Sequence, residues 1–116
     1  MIVAMSSYRT HKLSAEAIDW LDDWFADNTP RDHGATTIMT VSREHAGVGQ
    51  QYASLRKIPH HPIWIDPPIT ACDMSAASYY KLLDLADAAI VFPLASRIMT
   101  VGARTKGVFV NPGVRR

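Results

Sequence analysis

Short apolar runs alternate with amphipathic segments along the whole chain. The apolar runs have the length of strands and show little alternation of polar and apolar positions, which is typical of strands buried on both faces. The segments between them repeat apolar residues at spacings of three and four, which predicts helices. The predicted strands are residues 2–5, 36–41, 62–65, 88–92 and 108–110, and the predicted helices are residues 15–27, about 48–57, 76–86 and about 96–104.

Local signals support the helix boundaries and give each helix an apolar face. Ser14 is a suitable N-cap for the first helix, and Glu16 in its first turn opposes the helix dipole. Pro59 ends the second helix, and Gly107 marks a turn after the fourth. The residues expected to face the core are Ile18, Leu21 and Phe25 in the first helix, Val48, Tyr52 and Leu55 in the second, and Leu82, Leu83, Leu85 and Ala86 in the third.

The order of elements is strand and helix in strict alternation. Right-handed crossovers then bring the strands into one mainly parallel sheet. The sequence therefore predicts an α/β fold, a three-layer Rossmann-like sandwich with about five strands and with helices on both faces. No internal repeat, low-complexity segment or linker interrupts the pattern, so we expect residues 1–116 to form one domain.

The composition of the chain limits the cellular compartments and the classes of binding partner that we expect. The net charge of +1 is too balanced for a dedicated nucleic-acid binder. No apolar run reaches the roughly 18 residues that cross a bilayer, and residues 1–10 do not resemble a signal peptide, so we expect no membrane association. Cys72 is the single cysteine, which excludes an internal disulfide and fits a reducing, cytoplasmic compartment.

Charge is nevertheless unevenly distributed. The first helix and the turn after it are acidic, which is typical of a solvated face. Residues 91–116 contain five basic residues and no acidic one. This basic segment could face an anionic ligand or a partner surface.

Ligands of open parallel sheets bind beyond the carboxyl ends of the strands, where the strand order reverses. For the order 3-2-1-4-5, the reversal lies between the first and fourth strands. Three loops then meet at this edge, and serine hydroxyls, arginines and helix N-termini in them suit an anion. The candidate ligand-binding residues are Ser6, Ser7, Arg9, Ser42, Arg43, Gly47, Ser96 and Arg97. Each also has an ordinary role, as a helix cap, a turn residue or a surface arginine.

Several segments follow, in order, the motifs of a known protein family. Residues 6–9 (SSYR) stand where such proteins have a Gly-Ser-Arg or Gly-Tyr-Arg turn, and residues 41–53 replace a His-Gly-Gly-Ala-Arg-Gly-Ala-Asp loop and the start of its helix. Residues 82–93 (LLDLADAAIVFP) match a helix that ends in Asp before a strand with Phe-Pro. These segments resemble the SLOG superfamily of Rossmann-like nucleotide-binding domains, in its small, single-domain YspA-like branch. The resemblance implies the fold and the location of a cleft.

Two motifs of that family are altered here. Leu94, Ala95, Ser96 and Arg97 occupy the place of a Gly-Gly-x-Gly-Thr phosphate loop, and their Cβ atoms hinder a close approach of phosphate to the backbone. Relatives that cleave N-glycosidic bonds combine a Gly-rich loop with a catalytic Glu and Arg. The arginine has a counterpart in Arg97, but no Glu follows the loop, which argues against that activity.

Other side chains admit further chemistry. The five histidines lack metal-ligand spacing, and we predict neither a metal nor a resident cofactor. Glu44 and His45 lie in the second loop, where acid–base catalysis is conceivable, but we expect both to be exposed to solvent. Tyr79 and Tyr80 either stack on a base or pack in the core. Trp20 and Trp24 either pack or, if exposed, form an apolar patch for a partner or a second copy.

Three functions remain open from the sequence. The first is a binding protein that senses or sequesters a nucleotide or a phosphorylated small molecule, without turnover. The second is a protein without a ligand, such as a phage or mobile-element accessory protein, that acts through contacts with a partner or a homo-oligomer. The third is a hydrolase of nucleotide derivatives of the N-glycosidase type, for which Glu44 is the only suitable carboxylate near the cleft. Of these, non-enzymatic binding accounts best for the residues.

Overall fold

The computed structural model describes residues 1–8, 12–31, 35–44, 47–70, 74–92, 95–106 and 109–110. Strands and helices alternate from one end to the other. They are β1 (Ile2–Ser6), α1 (Ala15–Asn28), β2 (Thr37–Val41), α2 (Val48–Arg56), β3 (His60–Ile63), α3 (Ala76–Leu85), β4 (Ala88–Val91), α4 (Arg97–Lys106) and β5 (Phe109–Val110). A short 3-10 turn, Ser42–Glu44, follows β2. None of the helices in these ranges is both long enough and apolar enough to cross a bilayer.

The strands form one parallel sheet in the order β3-β2-β1-β4-β5. β1 is central, with Val3 beside Ile38 of β2 and beside Ala88 of β4. β5 is short and pairs with β4 through Phe109 and Val110. The predicted Rossmann-like fold and the strand order 3-2-1-4-5 are therefore confirmed.

Each face of the sheet is covered by two helices. Val3 and Met5 of β1 face α1 and α2, where Leu21 and Tyr52 belong to the same buried cluster. Ala4 points to the other face, into a cluster formed with residues of α3 and α4. Because successive side chains of a strand point to opposite faces, burial on both faces requires the unbroken apolar runs seen in the sequence.

The amino end of α1 is fixed by a side-chain cap. The hydroxyl oxygen of Ser14 accepts a hydrogen bond from Ala17 N at 3.1 Å, as the sequence predicts. Trp20 and Trp24 are half-buried and pack against the core beneath this helix. They do not form the exposed apolar patch that a partner-binding interpretation of α1 would need.

The third strand is displaced from its predicted position. The sequence predicts residues 62–65, but β3 begins at His60 and ends at Ile63. Its place is set by backbone pairing with β2, which aligns Ile38 with His60 and Val41 with Ile63. An edge strand tolerates histidine and proline, so hydrophobicity does not mark its ends. Trp64 lies beyond the strand and is 42% exposed.

Two leucines expected in the core lie outside it. Leu55 of α2 is 48% exposed and Leu85 of α3 is 38% exposed. The buried face of α2 contains Val48, Gly49, Tyr52 and Ala53, so it is centred on small residues and Leu55 lies to one side. α3 likewise buries Ser78 at the middle of its face. Gly49 lets α2 approach the sheet closely. Ser78 Oγ accepts a hydrogen bond from Ile65 N at 2.8 Å, just beyond the end of β3.

Gly49 lies where α2 packs tightly against the sheet. A Cβ atom at this position would lie 2.6 Å from Thr40 Cγ2 and 3.2 Å from Met5 Cβ. Such a distance is shorter than van der Waals contact, so any larger residue must push α2 away from β1 and β2.

We expect Gly49→Ala to lower the free energy of unfolding by about 1–3 kcal/mol, although alanine favours helix formation. Urea unfolding followed by circular dichroism measures the change. Ser54→Ala, on the exposed side of the same helix, is the matched control and should stay within about 0.5 kcal/mol of the parent. A Gly49→Ala protein as stable as the parent would contradict this account of helix packing.

Candidate functional site

The strand order reverses between β1 and β4, and a crevice is expected above their carboxyl ends. From β1 the chain continues to a helix on one face, and from β4 to a helix on the other. The two ends are held side by side, because Phe92 N donates a hydrogen bond to Ser6 O at 2.9 Å. The carboxyl end of β2 lies on the other side of β1.

A buried carboxylate lies at this edge of the sheet. Glu44, in the turn after β2, is only 4% exposed. Its Oε2 accepts hydrogen bonds from Ser6 Oγ at 3.0 Å and from the hydroxyl of Tyr79, and its Oε1 accepts one from Ser7 N at 3.1 Å. Glu44 therefore joins the ends of β1 and β2 to α3. We call Glu44, Ser6, Ser7 and Tyr79 the Glu44 cluster.

Burial raises the pKa of Glu44, because removal from water disfavours the charged form. The hydrogen bonds from Tyr79, Ser7 and Ser6 oppose this effect, as does the positive charge of Arg43, but burial has the larger influence. The expectation that Glu44 is exposed to solvent is therefore wrong. The 3-10 turn directs the side chain of Glu44 back toward β1. No sequence feature of residues 42–47 predicts this direction.

Ser7 and Gly47 form a tight contact at the start of α2. Ser7 Oγ accepts a hydrogen bond from Val48 N at 3.1 Å and donates one to Tyr8 O at 3.1 Å. It therefore caps α2 from a different segment of the chain, since Gly47 has no side chain to do so. A Cβ on Gly47 would lie 2.8 Å from Ser7 Oγ, so the close approach requires glycine here.

The residues on the β2 side of the edge contact neighbouring elements. Arg43 is exposed, and its Nη1 donates a hydrogen bond to Ser75 Oγ at 2.8 Å, at the N-cap of α3. Ser42 Oγ donates to Ile63 O at 3.1 Å and joins the ends of β2 and β3. Arg43 thus extends over the edge with further N–H donors, because a guanidinium carries five.

The β4 side of the edge holds Ser96 and Arg97. Ser96 Oγ accepts a hydrogen bond from Ile98 N at 3.2 Å and caps α4. Arg97 is the first residue of α4 and is exposed. Arg9, the remaining predicted ligand residue, lies outside the described residues, as do Pro93 and Leu94.

The predicted residues occupy two places along this edge. Ser6, Ser7 and Gly47 meet at Glu44, while Ser96 and Arg97 follow β4. The hydroxyls of Ser6 and Ser7 donate within the protein, to Glu44 and to Tyr8 O, so they are not the free anion donors that the sequence suggested. Their ligand-binding role, and that of the other predicted residues, stays a prediction.

The chemical capacity of the site follows from its acceptors and cations. A carboxylate offers about four lone-pair positions, and the described contacts to Glu44 use three, with one accepted by Oε1. One acceptor position of Oε1 is therefore not used by the described donors. Over the ranges that the structure describes, no group of three His, Cys, Asp or Glu side chains is arranged to hold a metal ion.

The raised pKa of Glu44 gives the stability a dependence on pH. The folded protein holds this proton above the ordinary pKa of 4.5, so the free energy of unfolding falls as pH rises from 4.5 through the native pKa. The loss is about 1.4 kcal/mol for each pH unit that separates the folded and unfolded pKa values. Above the native pKa, the titration of Glu44 no longer makes the free energy of unfolding change with pH.

Glu44→Gln removes this titration. We expect the unfolding free energy of the parent, minus that of Glu44→Gln, to decrease in urea titrations as the pH rises above 4.5. Glu16→Gln, at an exposed position on α1, controls for the loss of a surface carboxylate. A difference that grows with pH would show that hydrogen bonding, and not burial, dominates at Glu44.

Comparisons with known proteins identify no relative of this chain. No protein-family model, curated protein or solved structure matches the chain. The resemblance to the SLOG superfamily therefore stays a prediction from sequence motifs, and the function must be inferred from the described residues.

Proposed function

We propose that this protein binds a nucleotide or a nucleotide-derived anion at the carboxyl edge of its sheet, above β1, β2 and β4. The observation that carries the proposal is the buried carboxylate of Glu44 beside the reversal of strand order. A buried carboxylate costs free energy, and a neutral side chain of the same size would fill the space. Polar groups kept at such a cost are concentrated at functional sites.

The two parts of the edge suit different parts of one ligand. In this proposal Glu44 Oε1 accepts a hydrogen bond from a ribose hydroxyl, and Ser6, Ser7 and Tyr79 hold the carboxylate in place. Arg97 at the start of α4 supplies a cation for a phosphate, next to the partial positive charge of the helix end. Only a ligand that contains both a sugar and an anion uses both parts.

Thermal unfolding in the presence of nucleotides tests the proposal. The panel contains ADP-ribose, AMP, ADP and cyclic dinucleotides. A ligand at 100 times its dissociation constant should stabilise the protein by about 2.7 kcal/mol, a shift in Tm of several degrees. We expect Arg97→Ala to lose this shift and Lys81→Ala, an exposed cation on α3, to keep it.

The absence of a shift with every compound would contradict nucleotide binding. It would favour the alternative in which the protein acts through protein contacts. Exposed apolar side chains suited to such contacts lie in the segment between β3 and α3. They include Trp64, Ile65, Ile69 and Met74.

A second candidate function is hydrolysis of an N-glycosidic bond in the same ligand class. It is favoured by the raised pKa of Glu44, because an acid–base group works best when its pKa approaches the working pH. In this reaction water attacks the anomeric carbon, the C–N bond breaks, and the base leaves with the bonding electron pair. Glu44 would take the proton from water and pass it to the departing base, so that atoms and charge balance.

Release of free base from ADP-ribose or AMP, followed by chromatography, measures this activity. We expect Glu44→Gln to reduce the rate at least 100-fold, since acid–base catalysis contributes about that much. Arg97→Ala should raise KM instead. If the parent protein shifts in Tm with the nucleotide but releases no base, the site binds without catalysis.

A further inference from the structure

A cavity lies at the opposite edge of the sheet from the Glu44 cluster. It is bounded by the carboxyl ends of α1 and α2 and by Thr36, which directly precedes β2. Its volume is about 570 Å³, within the range of roughly 300–1,000 Å³ typical of small-molecule sites. The side chains that define its character are Phe25, Tyr52, Ile58, Thr36, Arg31 and Arg56.

The inner wall is aromatic and rigid. Phe25 and Tyr52 are 8% and 2% exposed, and their ring centroids lie 5.2 Å apart with 39° between the ring planes. Trp24 packs edge-on against Phe25 at the same centroid distance. Ile58 extends the wall toward β3. A wall of this kind accepts a flat apolar group by stacking.

Arg56 is held in place at the rim. Its Nε and Nη2 donate to the two carboxylate oxygens of Asp22 at 2.9 and 2.7 Å, and the hydroxyl of Tyr52 also donates to Asp22 at 2.7 Å. The hydrogen bond from Arg56 holds the pKa of Asp22 below its ordinary value, so this ion pair persists at neutral pH. Two of five N–H groups of Arg56 are used by Asp22, which leaves donors for a ligand.

Arg31 is a second positive charge at the rim. It lines the cavity just after α1, is exposed, and makes no ion pair within the described part of the chain. Because Asp22 pairs with Arg56, Arg31 is the cation of the described lining that has no carboxylate partner among the described residues. The carboxyl ends of two helices carry partial negative charge at this edge, which favours a singly charged ligand over a doubly charged phosphate.

Thr36 is an independent indication of a polar ligand group. The residue is 5% exposed and lines the cavity. Over the described residues its Oγ1 is the one buried side-chain polar atom without a hydrogen-bond partner. Buried polar atoms almost always have partners, so an unsatisfied hydroxyl in a cavity wall points to a group that enters the cavity.

We propose that this cavity is a second ligand site, which binds a small aromatic monocarboxylate. The flat body stacks against Phe25 and Tyr52, the carboxylate lies between Arg31 and Arg56, and Thr36 hydrogen-bonds a polar atom of the ligand. Arginine suits this role because its planar guanidinium matches a planar carboxylate with paired hydrogen bonds. The site is separate from the nucleotide edge and does not depend on that function.

The test is a titration of the full chain with 2-naphthoate, and with neutral 2-naphthamide as the matched probe of charge. Amide NMR spectra and Tm are the two measurements. We expect 2-naphthoate to shift the resonances of Thr36, Tyr52 and Ile58 saturably and to raise Tm, and 2-naphthamide to bind at least tenfold more weakly. Equal binding of both probes, or no saturable shift at these residues, would overturn the proposal.

Variants separate this cavity from the other edge. Arg31→Gln changes an exposed side chain, so it should fold normally and bind 2-naphthoate at least tenfold more weakly. Arg97→Gln, at the nucleotide edge, should bind it as the parent does. Thr36→Val keeps the shape but removes the hydroxyl, and we expect a higher Tm without ligand and weaker binding. Parent-like affinity in Arg31→Gln, or resonance shifts confined to α4, would refute the assignment.

Discussion

The hydrogen bonds to the carboxylate of Glu44 connect most of the features at the carboxyl edge of this protein. They bring together the end of β1, the turn after β2 and the middle of α3, which lie far apart in the sequence. Next to them, Ser7 caps α2 and excludes any side chain from Gly47. One buried carboxylate thereby holds the hydroxyls of Ser6 and Tyr79 inside the protein.

The burial of Glu44 lowers the stability of the fold for a simple physical reason. Burial raises the pKa of Glu44, because the charged form lowers the free energy of unfolding. The buried side chain is also a hydrogen-bond acceptor with a fixed direction. It lies beside the reversal of strand order, where ligands of this fold class bind. A glutamine would lower the cost, but it would also remove the negative charge and the acid–base capacity.

The two edges of the sheet differ in the kind of ligand that they suit. The carboxyl edge presents helix starts, exposed arginines and a polar cluster, which suit a phosphate and a sugar. The amino edge presents helix ends, an aromatic wall and the side chains of Arg31 and Arg56, which suit an apolar body with a single charge. Both sets of features follow from the parallel sheet, because every connecting helix begins at the carboxyl edge and ends at the amino edge.

The sequence by itself determined the elements, the fold class and the edge at which the polar loops meet. Burial on both faces leaves unbroken apolar runs, and this signal depends only on local residues, as in β1 and β4. Tertiary structure alone decided the ends of β3, the exposure of Leu55 and Leu85, and the burial of Glu44. Pairing with β2 placed β3, and the close contact of Gly49 with the sheet placed α2. The burial of Glu44 depends on donors from β1 and α3, which only the folded chain brings to one point.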